Sequence, residues 1–237
     1  MMSSVPKVLM PIAGKPIIQH LIDNLSKTPH TTKPIVVVGE NFSDIERELG
    51  TTVSYAHQKQ QLGTGHALKS ALPHVTHARV LVLYGDHPLI QPATLSAFTS
   101  VSHTSHAIGT VRVPHYLDEF DLFNHWGRVI RDENQKVNRI TEFKDATETE
   151  KKVLEVNASP YYFETKWLRK NIHTLTSTNA QSEFYITDLV QCAVSQNISI
   201  QTIPIPPEQA IGINTKEQLN YAEKYAELAR NSILTPS

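Results

Sequence analysis

Cysteine is nearly absent from this chain of 237 residues: Cys192 stands alone. That excludes an internal disulfide framework and a cysteine-rich zinc site, and it fits a reducing compartment. Charge of one sign is missing too. Lys and Arg total 22 against 23 Asp and Glu, a formal net charge of -1, so no overall basic field attracts nucleic acid or anionic lipid, and neither is expected as a partner. No apolar run approaches the roughly 20 residues that cross a bilayer, and the start MMSSVPKVLMPIAGK lacks the apolar core of a signal peptide. A soluble, cytoplasmic protein is the expectation. With 9 Gly, 14 Pro and 40% hydrophobic residues, the composition is neither collagen-like nor disordered. There is no Gly-x-Ser-x-Gly elbow to support hydrolase chemistry of that kind. Without repeats or long linkers, residues 1–237 read as one domain able to bury roughly 70–75% of its unfolded surface.

What is present is an alternation of periods. KPIIQHLIDNLSK carries a helical stripe of Ile17, Ile18, Leu21, Ile22 and Leu25, with Pro16 suited to the first turn. PIVVVGE is a short β-branched run of the kind covered on both faces in a parallel sheet. SDIERELG follows with Ser43 three residues before Glu46, a capping-box spacing, and stops at Gly50. TTVSYAH predicts a strand, TGHALKSALP a helix, RVLVLYGD the most apolar strand and PATLSAF a helix. Such an alternation predicts an α/β, doubly wound sheet, with ligands beyond the carboxyl ends of its strands. Residues 107–163 change rhythm: HAIGTVRV, GRVIRD, KVNRITEF and KVLEVNASPYYF predict a β-rich lobe, with DATETEKK as a solvated connection. FETKWLRKNIHTL and TDLVQCAVSQ return to helix, ISIQTIPI adds a strand, and a final helix over 215–231 opens with Thr215 and Gln218 in capping-box spacing.

Several residues can carry chemistry, each beside a plain structural reading. Asp86, directly after RVLVLY in Tyr84-Gly85-Asp86, can hold a divalent cation over a phosphate or simply form a turn. Asn214 in GINT can do the same or start the last helix. Lys7 can neutralise a phosphate or lie solvated. In QKQQLGTGHA, Gly63 and Gly65 let backbone approach a base or phosphate, and Gln58 offers a donor and an acceptor to a base edge; a simple turn reads as well. Glu142 and Asn157 can receive sugar hydroxyls or an amide, or be exposed strand residues. Among 12 histidines, His74/His77 and His103/His106 are spaced by three, without an HExxH pattern or a Cys partner, so zinc is not expected. Cys192 in LVQCAV reads as a packing residue.

In order, PKVLMPIAGKPIIQHLID, QQLGTGHAL, VLVLYGDHPLI, WGRVIRD, ITEFKDAT, LEVNASPYYF, NAQSEFYITDLV and AIGINTKEQL resemble the uridylyltransferase domain of bacterial bifunctional N-acetylglucosamine-1-phosphate uridyltransferase, the GlmU type. The resemblance spans nearly the whole chain. It implies a Rossmann-like nucleotidyltransferase fold, with a mostly parallel sheet and helices on both faces. It places Gln58, Gly63 and Thr64 at the uracil, Lys7 at phosphate, Tyr84, Gly85 and Asp86 in the next binding loop, and Mg2+ on Asp86 and Asn214. Gly127, Glu142 and Asn157 fall in the amino-sugar pocket, with Thr187 near the sugar phosphate. The implied substrates are UTP and a sugar 1-phosphate, N-acetylglucosamine 1-phosphate first. The implied reaction is direct displacement at the α-phosphorus, giving UDP-sugar and pyrophosphate without a protein nucleophile.

The pattern also departs from the family. The glycine-rich LAAGxGTRM loop and the strand before it, central in the superfamily's sheet, have no counterpart ahead of Pro6, so the first strand is expected to be missing. The native chain is expected to extend upstream by about 15–20 residues, one strand and a tight loop. His125 stands where the family has a glycine, and NASP replaces Asn-Thr-Gly, which leaves the acceptor sugar open. No hexapeptide repeat encodes an acetyltransferase half. The competing expectations are a non-catalytic nucleotide-sugar-binding or regulatory protein and a transferase for another base or sugar.

Overall fold

The computed structural model describes residues 5–40 and 42–233, with side chains described as far as Tyr225. The reading of the start therefore lies partly outside the described residues, at Met1–Ser4. A 3-10 turn at Lys7–Leu9 leads into a small hairpin, β1 (Pro11–Ile12) and β2 (Lys15–Pro16), and then α1 (Ile17–Ser26). Pro16, at φ -52, caps α1, and the helix buries Ile17, Ile18, Leu21 and Ile22. This is the stripe expected from the spacing. The alternation continues through β3 (Ile35–Val38), α2 (Ser43–Leu49), β4 (Ser54–His57), α3 (Thr64–Ala71), β5 (Arg79–Val82) and α4 (Pro92–Thr99). The capping box expected at Ser43 does not form. Ser43 is already helical, and Phe42 precedes it in αR geometry with no side-chain cap, whereas a capping hydroxyl needs its own residue outside the helix. Gly50 does stop α2, its N–H bonding the Glu46 carbonyl at 2.8 Å.

The second half comprises β6 (Ser105–Arg112), β7 (Arg128–Arg131), β8 (Val137–Thr141), β9 (Glu155–Glu164), α5 (Thr165–Asn171), α6 (Asp188–Ser195), β10 (Ser199–Pro204), α7 (Pro207–Ala210) and α8 (Lys216–Ile233). At the start of α8, Gln218 N–H bonds Thr215 Oγ1 at 3.2 Å and Thr215 N–H bonds Gln218 Oε1 at 2.9 Å. This capping box is the expected one.

The strands run in the order β10-β6-β9-β7-β8, with β5 also on β9. Parallel pairing joins β10 to β6 and β3 to β4; the other pairs are antiparallel. The β-rich stretch, expected as a lobe embedded in one α/β unit, supplies the centre of the main sheet: β6 and β9 form the middle of the largest sheet and are buried along almost their whole length. The ten residues of β9 pair β6 from Glu155 to Tyr162, and are long enough to pair β5 at the carboxyl end and Arg128 of β7 near the other. Two apolar layers cover the sheet, one around Tyr161, Phe163, Leu168 and Leu189, the other around Leu95, Phe98, Val111 and Phe123.

The β3–β4 pair forms a sheet of its own. Between β3 and β5 lies a cavity of about 920 Å3. Both strands are apolar apart from Arg79 yet mostly half-buried, although runs of this kind are normally covered on both faces.

Candidate active site

The carboxyl end of β5 runs into Leu83, Tyr84, Gly85 and Asp86, because the ladder to β9 ends at Val82. The Asp86 carbonyl accepts the Ile213 N–H at 2.9 Å, which docks the segment before α8 beside it. Lys7, carried by the first 3-10 turn, then reaches both. Its Nζ donates to Asp86 Oδ2 at 2.6 Å and to Asn214 Oδ1 at 2.7 Å. The structure thus joins residues from both ends and the middle of the chain. Asp86 keeps 19% of its side chain exposed and Lys7 38%, so the cluster is open to a solute while partly shielded from water. Two hard oxygens, Asp86 Oδ2 and Asn214 Oδ1, converge on one cation. That donor set suits magnesium, which takes one or two protein oxygens and fills its shell with phosphate and water.

A second group lies after β4. Gly63 has φ +103, and a Cβ there would meet Phe184 O at 2.8 Å, so only glycine lets this turn pack against residues 183–184. Gly65 N–H bonds Phe184 O at 2.7 Å, Phe184 N–H bonds Leu62 O at 2.8 Å, and Thr64 Oγ1 accepts the Ile186 N–H at 3.1 Å. Gln58 Nε2 donates to the Gly63 carbonyl at 3.1 Å and lies 3.0 Å from His66 Nδ1. Its amide is anchored by one end.

The third group lines β7, β8 and β9. The Gly127 carbonyl accepts the Asn157 N–H at 2.8 Å, and a Cβ on Gly127 would stand 3.3 Å from Glu142 Oε2. Thr187 Oγ1 donates to Glu142 Oε1 at 3.0 Å. Burial pushes the Glu142 carboxyl up, against that hydrogen bond and with the repulsion of Asp188, Asp145 and Glu183. Asn157 Nδ2 donates to Tyr161 Oη at 2.6 Å, while its Oδ1 is buried without a protein partner. That leaves an acceptor open for a ligand hydroxyl or amide. Tyr84 ties the groups together: its Oη lies 3.3 Å from Tyr161 Oη. Burial raises the Tyr84 phenol, with Tyr161, Glu142, Thr64 and Asp86 all acting on it.

The sequence reading missed His87, Trp126 and Tyr161. His87 Nε2 lies 3.7 Å from Asp86 Oδ1, its ring 5.5 Å from Tyr84 and 6.1 Å from Trp126. Burial holds it below the ordinary histidine range despite Asp86. Its position directly after Asp86 was the available signal. Arg128 is fully buried and donates to the carbonyls of Trp126, Asn124 at 2.8 Å and Lys151 at 3.2 Å. It pins the turn that presents Gly127. Burial lowers its pKa, and no acidic group pairs with it among the described residues.

Residues 1–181 match the model of the MobA-like NTP transferase domain. The chain belongs to that family. It is 39% identical over 228 residues to "Bifunctional protein GlmU" of Paraburkholderia phymatum, covering 94% of this chain and 49% of that protein. The protein of the same name from Alcanivorax borkumensis is 37% identical over 238 residues, covering 99% and 51%, and that from Brevibacillus brevis 35% over 230 residues, covering 95% and 48%. The resemblance read from the sequence motifs is met by these relatives, and the chain spans about half their length. Among solved structures, CMP:2-keto-3-deoxy-manno-octonic acid synthetase complexed with CTP superposes with a TM-score of 0.69 at 17% identity, covering 96% of this chain and 94% of that one. That likeness establishes the nucleotidyltransferase fold. No helix among the described residues is long and apolar enough to cross a membrane.

Proposed function

We propose that this domain transfers UMP from UTP to N-acetylglucosamine 1-phosphate or a closely related sugar phosphate, releasing pyrophosphate. The observation that carries the reading is the meeting of Lys7 Nζ with Asp86 Oδ2 and Asn214 Oδ1, one cation and two cation-seeking oxygens beyond the end of β5. Two anionic reactants must be brought together. Unscreened unit charges about 4 Å apart repel by roughly 4 kcal/mol at an effective dielectric of 20. Asp86 and Asn214 would hold Mg2+, which when bound supplies positive charge opposite the triphosphate. Lys7 adds its own charge and orients Asp86. The acceptor phosphate oxygen, already ionised at neutral pH, attacks the α-phosphorus as the bond to pyrophosphate breaks, so no side chain has to act as nucleophile or base; the work is alignment and charge screening.

Gln58, Gly63 and Thr64 form the base side of the proposed site, with Tyr84 and Gly85 continuing toward the phosphates. On the acceptor side, Asn157 Oδ1, Glu142 and Thr187 offer polar atoms near Gly127, suited to hydroxyls and an acetamido group. The fold likeness to a CTP-bound synthetase favours a second reading, in which CTP is the donor. The separation of the β3–β4 pair from the main sheet favours a third, in which the 237-residue chain binds nucleotide sugars without turning them over. Pyrophosphate release with UTP, CTP, GTP or dTTP against a panel of sugar phosphates, at saturating magnesium, tests all three. Preferred turnover of UTP with N-acetylglucosamine 1-phosphate is the expected result. No release from any pair, with UDP-sugar binding retained, would overturn the enzymatic reading.

A further inference from the structure

Asn157 and Tyr161 are four residues apart on β9, a separation that sets two residues about 13 Å apart along a regular strand. Here their side chains touch: Asn157 Nδ2 donates to Tyr161 Oη at 2.6 Å. The pairing with β6 explains the contact. Tyr161 stands opposite Ile108 and Asn157 opposite Thr110, so Gly109 alone faces Ala158, Ser159 and Pro160. The two surplus residues of β9 form a bulge, and Asn157 and Tyr161 come to lie against positions only two apart, about 7 Å. Because the surplus is even, both side chains stay on one face of the sheet. Ser159 carries the turn at φ +48, and its carbonyl oxygen would lie 2.6 Å from a Cβ at position 109. Only glycine opposite the bulge leaves room for it.

The contact has a direction. An amide nitrogen can only donate, so Tyr161 Oη accepts from Asn157, and the phenol is free to give its own proton to Tyr84 Oη at 3.3 Å. Tyr161 is fully buried and Asn157 nearly so. With Nδ2 held on Tyr161, Asn157 Oδ1 is turned the other way, buried and without a protein partner. Turned over, the amide would lose Tyr161 as its acceptor and put both N–H groups where Oδ1 now lies.

We propose that Tyr161 is a positioning residue for the acceptor sugar: its hydroxyl, brought to Asn157 by the bulge at Ser159, holds the amide so that Oδ1 takes a hydrogen bond from a sugar hydroxyl or amide N–H. This rests on the reading of Asn157 as part of the sugar side of the site. The bulge supplies the approach, Gly109 the space for the bulge, and the Tyr161 oxygen the polarity. The same hydroxyl reaches Tyr84, two residues before Asp86, so one buried oxygen joins the sugar side to the phosphate side.

Tyr161→Phe keeps the ring and removes only the oxygen. Two measurements on it separate the clamp from the sugar contact. The first is the side-chain amide signal of Asn157 in the ligand-free protein, identified by its loss in Asn157→Asp. In wild type one of the two Nδ2 protons exchanges slowly, and in Tyr161→Phe that protection is lost. The second is calorimetric affinity for UDP and for UDP-N-acetylglucosamine. Tyr161→Phe weakens the sugar nucleotide by about tenfold, as for one lost hydrogen bond, and changes UDP by less than about twofold. The retained UDP affinity also shows that the variant is folded. An Asn157 amide signal unchanged in the variant would overturn the proposal. So would equal weakening of both ligands, or sugar-nucleotide affinity unchanged with the amide released. Wild-type protein with one affinity for both ligands, or none for either, would overturn the sugar-side reading itself, and the amide signal alone then judges whether Tyr161 holds Asn157.

Discussion

Three glycine-to-alanine substitutions separate backbone strain from collision and test the packing of the Gly63 turn. Gly14, at φ +82, has open space where a Cβ would stand; alanine there pays only for its left-handed backbone, about 1 kcal/mol. Gly39 is not left-handed, and its added Cβ would meet only the end of the Gln61 side chain, 2.6 Å away, which can swing aside at a cost within about 0.5 kcal/mol. Gly63 suffers both effects. Its φ of +103 and ψ of 177 fall where essentially only glycine goes, at a cost of about 1–3 kcal/mol. Its Cβ would also stand 2.8 Å from the Phe184 carbonyl, which cannot retreat without straining the Gly65 and Leu62 hydrogen bonds, worth about 1 kcal/mol each. The sum for Gly63→Ala is about 4 kcal/mol. At roughly 2–4 °C per kcal/mol for a domain of this size, Tm falls by about 8–16 °C, against about 2–4 °C for Gly14→Ala and under about 2 °C for Gly39→Ala. Thermal melting by circular dichroism reads all three. A Gly63→Ala protein melting with the Gly14→Ala protein would refute the collision with residues 183–184.

Acid stability should report His106, whose ring lies against Phe163 and Trp167 with Nε2 buried and unpartnered. Burial, with Arg79 nearby, pushes its pKa down to about 4 from 6.5. The unfolded chain therefore binds a proton that the folded one refuses, so stability falls as pH drops from about 6.5 toward 4, by at most about 3 kcal/mol. Urea melts at pH 7 and pH 4.5 check this, and His106→Leu should flatten the difference. Arg128→Met leaves three carbonyls without their donor; a loss of at least about 2 kcal/mol in urea unfolding is expected. It should also raise KM for the sugar phosphate more than for UTP, since residues 124–127 lose their anchor.

Much of the fold was legible. IVVV and RVLV declare strands by β-branching, and the α1 stripe declares its buried face. Continuous apolar runs report burial but not strand direction, so the antiparallel place of β9 in the main sheet, and the absorption of the β-rich stretch into it, could not be read. Ser43 and Thr215 show the same motif with opposite outcomes, decided by whether the residue stands outside its helix. At the site, nothing local links Lys7 to Asn214 across 207 positions; only the family likeness pairs them. His87 and Tyr161 hide in segments whose apolar pattern already has a packing explanation. Arg128 hides because arginine in a strand reads as exposed.

The cluster of Lys7, Asp86 and Asn214 is the centre of the account, and the direct measurement is pyrophosphate release across a magnesium titration. Wild type, Asp86→Asn and Asn214→Ala are compared with UTP and N-acetylglucosamine 1-phosphate, in the form of the protein with the highest turnover. A fall of at least about 100-fold, equivalent to roughly 2.7 kcal/mol, is predicted for Asp86→Asn, with a smaller fall for Asn214→Ala. Both should need more magnesium for half-maximal rate. The partly exposed ion pair contributes only about 0–1 kcal/mol to stability, so both variants should melt within a few degrees of wild type. Turnover and magnesium dependence unchanged in both would contradict the account.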